Sequence, residues 1–550
     1  MIWSQNYDPT GLPWASTLLA AAPLAVLLGG LAFLRLKAPV AALAGLAAAL
    51  LVATIAFGMP AGLALRAAAY GAAYGLMPIG WIVLNIIFLY QLTEERGQFS
   101  VLRDSIAGIT DDSRLQLLLI AFCFGAFFEG AAGFGTPVAV TGAMLFGLGF
   151  TRLQSAGLSL IANTAPVAFG ALGTPLVTLA GITELPLLEL SATVGRLMTL
   201  FSLLVPFWLL VAYCGWRRTF EVWPAVLVAG ASFSLAQLLI SNLHGPWLTA
   251  IGAALVSMGS LVLFLRFWRP ARVVRVSDIA TGEGAAAPPA QPLRHAPAAQ
   301  RRAWLPWVVL MVLVFVWGIP AVKTFLDGIF RLALPFAGLD QQVQRLPPVV
   351  AQPEIERAIY NLNLLSATGT AILLSGVVAG LALGAGPLAL VKTYLRALRM
   401  TAASLLTIAA MLGLGYLTRY AGVDATLGLA FAATGVMYPF FGTLLGWLGV
   451  AVTGSDTASN VLFGGLQRVT SQQLGLPPVL MAAANSAGGV MGKMVDAQSI
   501  VVASTATRWF GQEGRILRYV FLHSVALAAL VGLVVLLMAY VPPFTQLVPR

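Results

Sequence analysis

Charge is what this sequence has least of. Only 9% of its 550 residues are Asp, Glu, Lys or Arg, against about 25% in water-soluble domains, and 59% are hydrophobic. No water-exposed surface can be built from that composition, which excludes a soluble globular domain. Cysteine is nearly missing too. Cys123 and Cys214 lie in apolar surroundings, provide neither a disulfide framework nor metal-ligand spacing, and read as packing residues. His244, His295 and His523 are far apart and no HExxH occurs, so a zinc protease is excluded and no metal site is expected. His523, in the last apolar run, reads as a packed histidine. Residues 1–14 have no basic leader and no small-residue cleavage site, so the first apolar run is expected to stay in place.

What is present is a series of apolar runs of about 17 to 25 residues, each able to cross about 30 Å of hydrocarbon as a helix. They fall at 15–34, 38–57, 76–91, 154–181, 195–213, 222–240, 247–267, 304–322, 366–383, 401–417, 477–504 and 517–540. Two more, 115–150 and 438–466, are interrupted centrally by Gly, Ser, Thr and an acid. The expected fold is an all-α polytopic membrane protein in a lipid bilayer, with about twelve transmembrane helices and two re-entrant hairpins. The net charge of +11 does not imply nucleic acid, because the arginines gather in short loops between runs. The longest basic loop, with Arg269, Arg272, Arg275, Arg294, Arg301 and Arg302, is expected in the cytoplasm. It divides the chain into 1–268, a linker at 269–303, and 304–550. The centre of that linker, "TGEGAAAPPAQP", has too little apolar surface to pack and is expected to be disordered. Arg35, Lys37, Arg217, Arg218, Arg508, Arg515 and Arg518 then fall inside and both termini outside. Arg419 and Arg468 fall outside, against the rule.

The chain also repeats itself. Leu92-Thr93 with Gly97 recurs as Leu417-Thr418 with Gly422, Gly130 as Gly454, and Ala162-Asn163 with Gly170 as Ala484-Asn485 with Gly492, at offsets of about 322 to 325. Seven crossings, an odd number, separate the first pair, so the copies run oppositely through the membrane. Inverted repeats with interrupted helices are the architecture of secondary transporters, whose site lies at the midplane between the repeats.

The chemistry is concentrated at the interruptions. "FFEGAAGFGTP" (127–137) places Glu129 among Gly130, Gly133 and Gly135 ahead of Pro137, and an isolated carboxylate in mid-membrane costs at least about 2.5 to 3.5 kcal/mol. It needs a partner, a cavity or a proton. The helix is expected to end there and restart near Thr136, exposing a positive N-terminus to a cavity. The second copy, "VTGSDTASN" (452–460), offers Ser455, Asp456, Thr457, Ser459 and Asn460. Asn163 with Thr164 and Pro166, and Asn485 with Ser486, interrupt the paired runs. Superimposing the copies sets Glu129 opposite Thr453, Asp456 opposite Ala132, Lys493 opposite Ala171 and Asp496 opposite Thr174, so the charges are not repeated. Lys493, in "GGVMGKM", is the lysine inside a run, and beside freed helix N-termini it would attract a small monocarboxylate. Asp496 and Gln498, just beyond it, are further candidates, with Asp496 equally able to act as a neutraliser. Structural roles compete at each position: a pair with Lys493 or a freed amide for Glu129 and Asp456, snorkelling for Lys493, and interhelical hydrogen bonding for the asparagines. "GAAGFGT" lacks the lysine of a phosphate loop and "GGVMGKM" lacks its spacing, so no nucleotide or other cofactor is expected.

At these residues the sequence resembles the L-lactate permease family. The resemblance rests on "QNYDP", "FCFGAFFEGAAGFGTPVAV", "NTAPVAFGALG", "GWRRTFEVWPAVLVAG", "TGSDTASNVLFGGLQ" and "AANSAGGVMGKM", and covers nearly everything except the linker. It implies a carrier of the bacterial inner membrane that takes up lactate, or in some relatives glycolate, with a proton. The family motifs land on Glu129, Gly130, Gly133, Gly135, Asn163, Ser455, Asp456, Asn460, Asn485 and Lys493. Two positions depart from the family pattern: Thr136 stands where relatives often have alanine, and Val495-Asp496-Ala497-Gln498 where they often have Ile-Ser-Pro-Gln. The expectation is therefore proton-coupled uptake of a 2-hydroxymonocarboxylate by alternating access. Its carboxylate would lie on Lys493 and the amides after the hairpin tips, and its hydroxyl on Thr136, Asn163 or Asn485. Glu129 or Asp456 would carry the proton. A sodium-coupled carboxylate carrier is the alternative within transport, and an intramembrane enzyme is the alternative outside it. No paired nucleophile and base supports the enzyme.

Overall fold

The computed structural model describes residues 2–549 other than 33, 35, 132, 134, 280–294, 351 and 511. Its apolar runs are helical because backbone N–H and C=O groups in lipid must be satisfied internally. Helices α1 (Pro13–Ala32) and α2 (Ala38–Leu51, extended by a π-helical stretch Val52–Ala56) pack together. A first series of elements follows. Helices α3 (Ala61–Tyr74) and α4 (Trp81–Glu95) are joined by a π-helical stretch, Gly75–Gly80, in which Met77 is extended. Gly97, at φ 67°, then turns the chain into α5 (Gln98–Ala107). One hairpin arm comprises α6 (Ser113–Leu117), a π-helical stretch Leu118–Phe124 and α7 (Gly125–Ala131), and α8 (Thr136–Gly147) is the other. Helix α9 (Arg152–Ala162) begins on reciprocal Thr151–Gln154 hydrogen bonds of 3.2 Å. Then come α10 (Thr164–Val167), a break through Gly170 and Gly173, α11 (Thr174–Thr183) and the long α12 (Leu187–Phe220).

Helices α13 (Trp223–Leu243), α14 (Thr249–Phe267), α15 (Pro297–Gly318), α16 (Pro320–Ile329) and α17 (Thr368–Ala382) lead to a second series in the same order. Helix α18 (Pro387–Ala421) takes the place of α3 and α4, Gly422 at φ 78° that of Gly97, and α19 (Val423–Ala432) that of α5. The hairpin of α20 (Tyr438–Thr453) and α21 (Asp456–Gln473) follows, then the broken pair α22 (Pro478–Gly492) and α23 (Ala497–Ala506), then α24 (Glu513–Tyr540) in the place of α12. The correspondence therefore reaches beyond the sequence matches to α5 with α19 and α12 with α24.

Eleven helices among the described residues are long and apolar enough to cross a membrane, which makes the chain an all-α polytopic membrane protein. Nine coincide with runs expected to cross, and the other two are the first hairpin arms, Ser113–Ala131 and Gly435–Thr453. Runs 154–181 and 477–504 are instead broken into shorter helices, and 366–383 holds the 15-residue α17. Short strands, which composition does not announce, gather in the 330–362 loop. Leu332–Pro335 pairs with Ile359–Leu362, and Val343–Arg345 pairs with Glu354–Ile355 and with Trp3–Ser4. The linker centre lies outside the described residues. The stretch before it is docked, with Val274 buried and its carbonyl accepting from the Ser113 backbone and hydroxyl.

Two ion-pair clusters mark opposite ends of α12, which runs about 40 Å before its break at Gly215. At one end the buried Arg114 places all five guanidinium N–H groups. They go to both oxygens of Asp112, to Glu221 at 2.7 Å, and to the carbonyls of Arg218 and Arg272 at 2.9 Å each. At the other end Glu184 meets Arg419 at 2.5 Å, Arg468 at 3.3 Å and Arg345 at 3.6 Å, while Glu356 bridges Arg345 and Arg419. Arg419 and Arg468, which ran against the loop-charge rule, are thus neutralised arginines. Both termini lie at this end: Gln5 donates to the Tyr420 carbonyl, and Arg196, three turns into α12, donates to Leu547.

Burial acts against the charge of Glu184, but Arg419, followed by Arg468 and Arg345, overrides it and holds the carboxyl below its ordinary value. A carboxyl lowered on folding stabilises the fold above its unfolded pKa, about 4.3, and that contribution is lost as pH falls toward the folded value. Glu184→Gln is therefore expected to lower the melting temperature of the detergent-solubilised protein at about pH 7 and to make a smaller difference near pH 3. An equal deficit at both pH values would remove the charge from the explanation.

The core of the second series has almost no space between helices. A Cβ on Gly446 would lie 2.0 Å from the Asn485 carbonyl oxygen, and one on Gly488 would lie 2.1 Å from that of Thr443. Backbone cannot yield as a side chain does, so α20 and α22 touch main chain to main chain, a contact that small residues permit in membranes. Gly488→Ala is expected to destabilise the protein by at least about 1 to 3 kcal/mol, read as a lower melting temperature. An unchanged melt would mean that the helices part without cost.

Candidate functional site

The hairpin tips and helix breaks of the two series meet around one cavity. The first series contributes Glu129 and Gly133 from its hairpin, and Val167, Gly170, Ala171, Thr174 and Pro175 from its break. The second contributes Gly454, Ser455, Asp456 and Thr457 from its hairpin, and Lys493 and Gln498 from its break. Equivalent positions thus face one space, with charge on one copy and a small side chain on the other: Lys493 against Ala171, and Asp456 near the Gly133 tip.

The local sequence explains why helices end here. Gly454, at φ 73°, terminates α20 in a conformation that side chains rarely adopt. Ser455 then accepts from the Ala458 N–H at 3.3 Å to start α21, and Asp456 is its first residue. Asp496 starts α23 in the same manner, accepting from the Ser499 N–H at 2.7 Å. In the first series Gly173, at φ 78°, precedes α11. The first residues of α11, α21 and α23 consequently line the cavity, and Gly133 stands just ahead of α8. Each start leaves N–H groups without helical partners and carries the positive end of the helix dipole, so the cavity favours an anion.

The ionisable side chains are buried. Lys493 donates to the Gly454 carbonyl at 2.6 Å and lies 3.4 Å from Asp496. An ammonium carries three N–H donors; one goes to Gly454, and Asp496, whose Oδ2 has no hydrogen-bond partner among the described residues, pairs with the charge without taking a second. Glu129 accepts a single bond, from the Asn163 amide at 3.2 Å. Asp456 accepts two on one oxygen, from Ser486 at 2.6 Å and Asn460 at 3.3 Å. Three acids, counting Asp496, accompany one lysine. No group of three or more His, Cys, Asp and Glu side chains among the described residues could hold a metal ion.

Several residues singled out from sequence stand behind the cavity rather than on it. Asn460 donates to the Pro175 carbonyl at 3.2 Å, tying α21 to α11. Asn485 donates to Asn460 at 2.9 Å and accepts from Gln467 at 3.2 Å, and Gln467 in turn accepts from Tyr438 at 2.7 Å. With its amide engaged on both sides, Asn485 braces α22 against α21, and it is not among the residues that line the cavity. Ser486 likewise serves Asp456. Asn163 serves Glu129, with its own Oδ1 unpartnered among the described residues. Gly135, at φ 81°, sits against Val502 of α23 instead of the cavity. The Thr136 side chain lies outside the described residues. Thr174, Pro175 and Val167 line the cavity without having been singled out as contacts. Thr174 was visible only as the position facing Asp496. His523 accepts from the Trp208 indole at 3.0 Å, a packed histidine as expected.

The glycolate permease GlcA of Escherichia coli (strain K12) is 45% identical over 98% of each chain, and the L-lactate permease of the same strain is 42% identical over the whole of both. Among solved structures, the YdaH transporter of Alcanivorax borkumensis aligns over 86% of each chain with TM-score 0.44 and 14% identity, too loose a likeness to carry any detail of the site. Residues 16–542 match the profile described as L-lactate permease. These relatives are permeases, not enzymes, and this chain belongs to the L-lactate permease family.

Proposed function

We propose that the chain carries small 2-hydroxymonocarboxylates, L-lactate or glycolate, together with a proton across the bacterial inner membrane by alternating access. The arginine-rich loop would lie in the cytoplasm and both termini outside. The observation that supports the reading best is the shared cavity, where three helix starts and one ammonium group favour an anion beside two lining carboxyl groups. An anion entering near Glu129 and Asp456 is repelled unless one of them takes a proton, and that is the physical link between substrate and proton. The substrate carboxylate would meet the N–H groups that Lys493 does not spend on Gly454 and the first-turn amides of α21. Its hydroxyl would meet Thr457 or Thr174. Glu129, which accepts from Asn163, is the acid assigned here to gain and lose the proton, with Asp456 as the alternative.

Purified protein in liposomes tests this with labelled L-lactate and glycolate. Uptake is expected to follow an imposed inward proton gradient and to be indifferent to sodium. Uptake that requires sodium and ignores the proton gradient would favour the sodium-coupled alternative.

A further inference from the structure

A second compartment opens off the polar cavity. Thr174, Ser455, Thr457 and Gln498 line both spaces and form the neck between them. Beyond the neck lies a space larger than the polar cavity, walled by Val83, Met411, Leu412 and Val461, with the hydroxyls of Ser404, Thr407 and Thr453 also on its lining. The four apolar side chains are buried, and they come from α4, α18 and α21. Among the described residues no ionisable side chain lines the compartment.

We infer that this compartment is a subsite for the hydrocarbon side chain of the substrate, so that the protein accepts 2-hydroxymonocarboxylates with branched side chains of about four carbons as well as lactate. The inference rests on the carboxylate binding in the polar cavity as proposed above. With the carboxylate there and the hydroxyl at the neck, the third substituent on the 2-carbon points through the neck. A methyl group reaches only its mouth, and a longer chain buries further apolar surface against Met411, Leu412 and Val461. Each added methylene in a fitted apolar pocket is worth roughly tenfold in affinity at most sites.

The test is competition against labelled L-lactate uptake in liposomes by glycolate, 2-hydroxybutanoate and 2-hydroxy-4-methylpentanoate, on wild type and on Met411→Trp. In wild type the branched acid is expected to inhibit at least as well as unlabelled lactate. Met411→Trp fills the compartment and is expected to weaken the branched acid about tenfold while the lactate KM moves less than about threefold. A branched acid that fails to compete in wild type overturns the subsite, whatever the variant does. If the variant loses lactate and branched acid together while keeping a wild-type melting profile, the compartment is a shared passage and the subsite is again overturned. Absence of lactate uptake in wild type is a different failure, that of the transport reading itself.

Discussion

Glu129→Gln is expected to abolish accumulation of L-lactate against its gradient while leaving lactate-for-lactate exchange in place. Symport of one proton with one lactate anion, driven by a gradient of two pH units, supports about a hundredfold accumulation, since each unit is worth about 1.4 kcal/mol. Glutamine keeps the volume of the side chain, and its carbonyl still accepts the Asn163 amide hydrogen that Glu129 accepts at 3.2 Å. The substitution therefore removes one property, the ability to gain and lose a proton. The neutral amide mimics the protonated acid, so the loaded site still crosses in both directions, but the gradient no longer drives it. The expected readout is an accumulation ratio falling from about a hundred to about one, with counterflow of labelled lactate into preloaded liposomes retained. An accumulation ratio unchanged from wild type would remove Glu129 as the carrier and leave Asp456→Asn as the next substitution to make. Loss of both accumulation and counterflow would mean that the carboxylate holds the site together.

That the acid was visible at all follows from its surroundings. A glutamate in lipid is costly, and Gly130, Gly133 and Gly135 beside it announce a broken helix, so "FFEGAAGFGTP" declared both the charge and the gap. The duplication was legible for a similar reason. Gly97 and Gly422, and Gly130 and Gly454, hold turns or close approaches that other residues fit poorly, and their constant spacing outlasted the sequence around them. What the sequence did not disclose is which polar groups face the cavity. Asn163, Asn460 and Asn485 look alike as residues interrupting apolar runs. Only the packing of α20 on α22 and of α21 on α11 turns Asn485 toward Gln467 and Asn460 toward Pro175. Thr174 and Val167 were equally hidden, because a threonine or valine in a membrane helix carries no signal of its own. Arg419 and Arg468 misled for the opposite reason. Their charge is plain in the sequence, and its cancellation by Glu184 and Glu356 depends on residues more than 60 positions away along the chain.

Lys493→Met is expected to raise the KM for L-lactate about tenfold or more, the value of a charge-assisted hydrogen bond lost from a buried site. The single substitution does not distinguish two causes. Lys493 also lies 3.4 Å from Asp496 and donates to Gly454 at 2.6 Å, so its removal leaves a buried carboxylate without its cation and a hairpin tip without its tether. A double-mutant cycle with Asp496→Asn separates them. If Lys493 only neutralises Asp496, removing both charges together restores a KM near that of wild type, because nothing is left to compensate. If Lys493 receives the substrate carboxylate, the double variant stays weak, and Asp496→Asn alone binds lactate at least as tightly as wild type because the cavity loses a competing negative charge. Binding of the substrate to a weakly driven carrier is read by lactate protection against thermal unfolding as well as by transport, so a slow variant is not mistaken for one that fails to bind. A double variant that recovers wild-type affinity would take Lys493 out of the substrate site and leave the anion to the helix starts of α11, α21 and α23 alone.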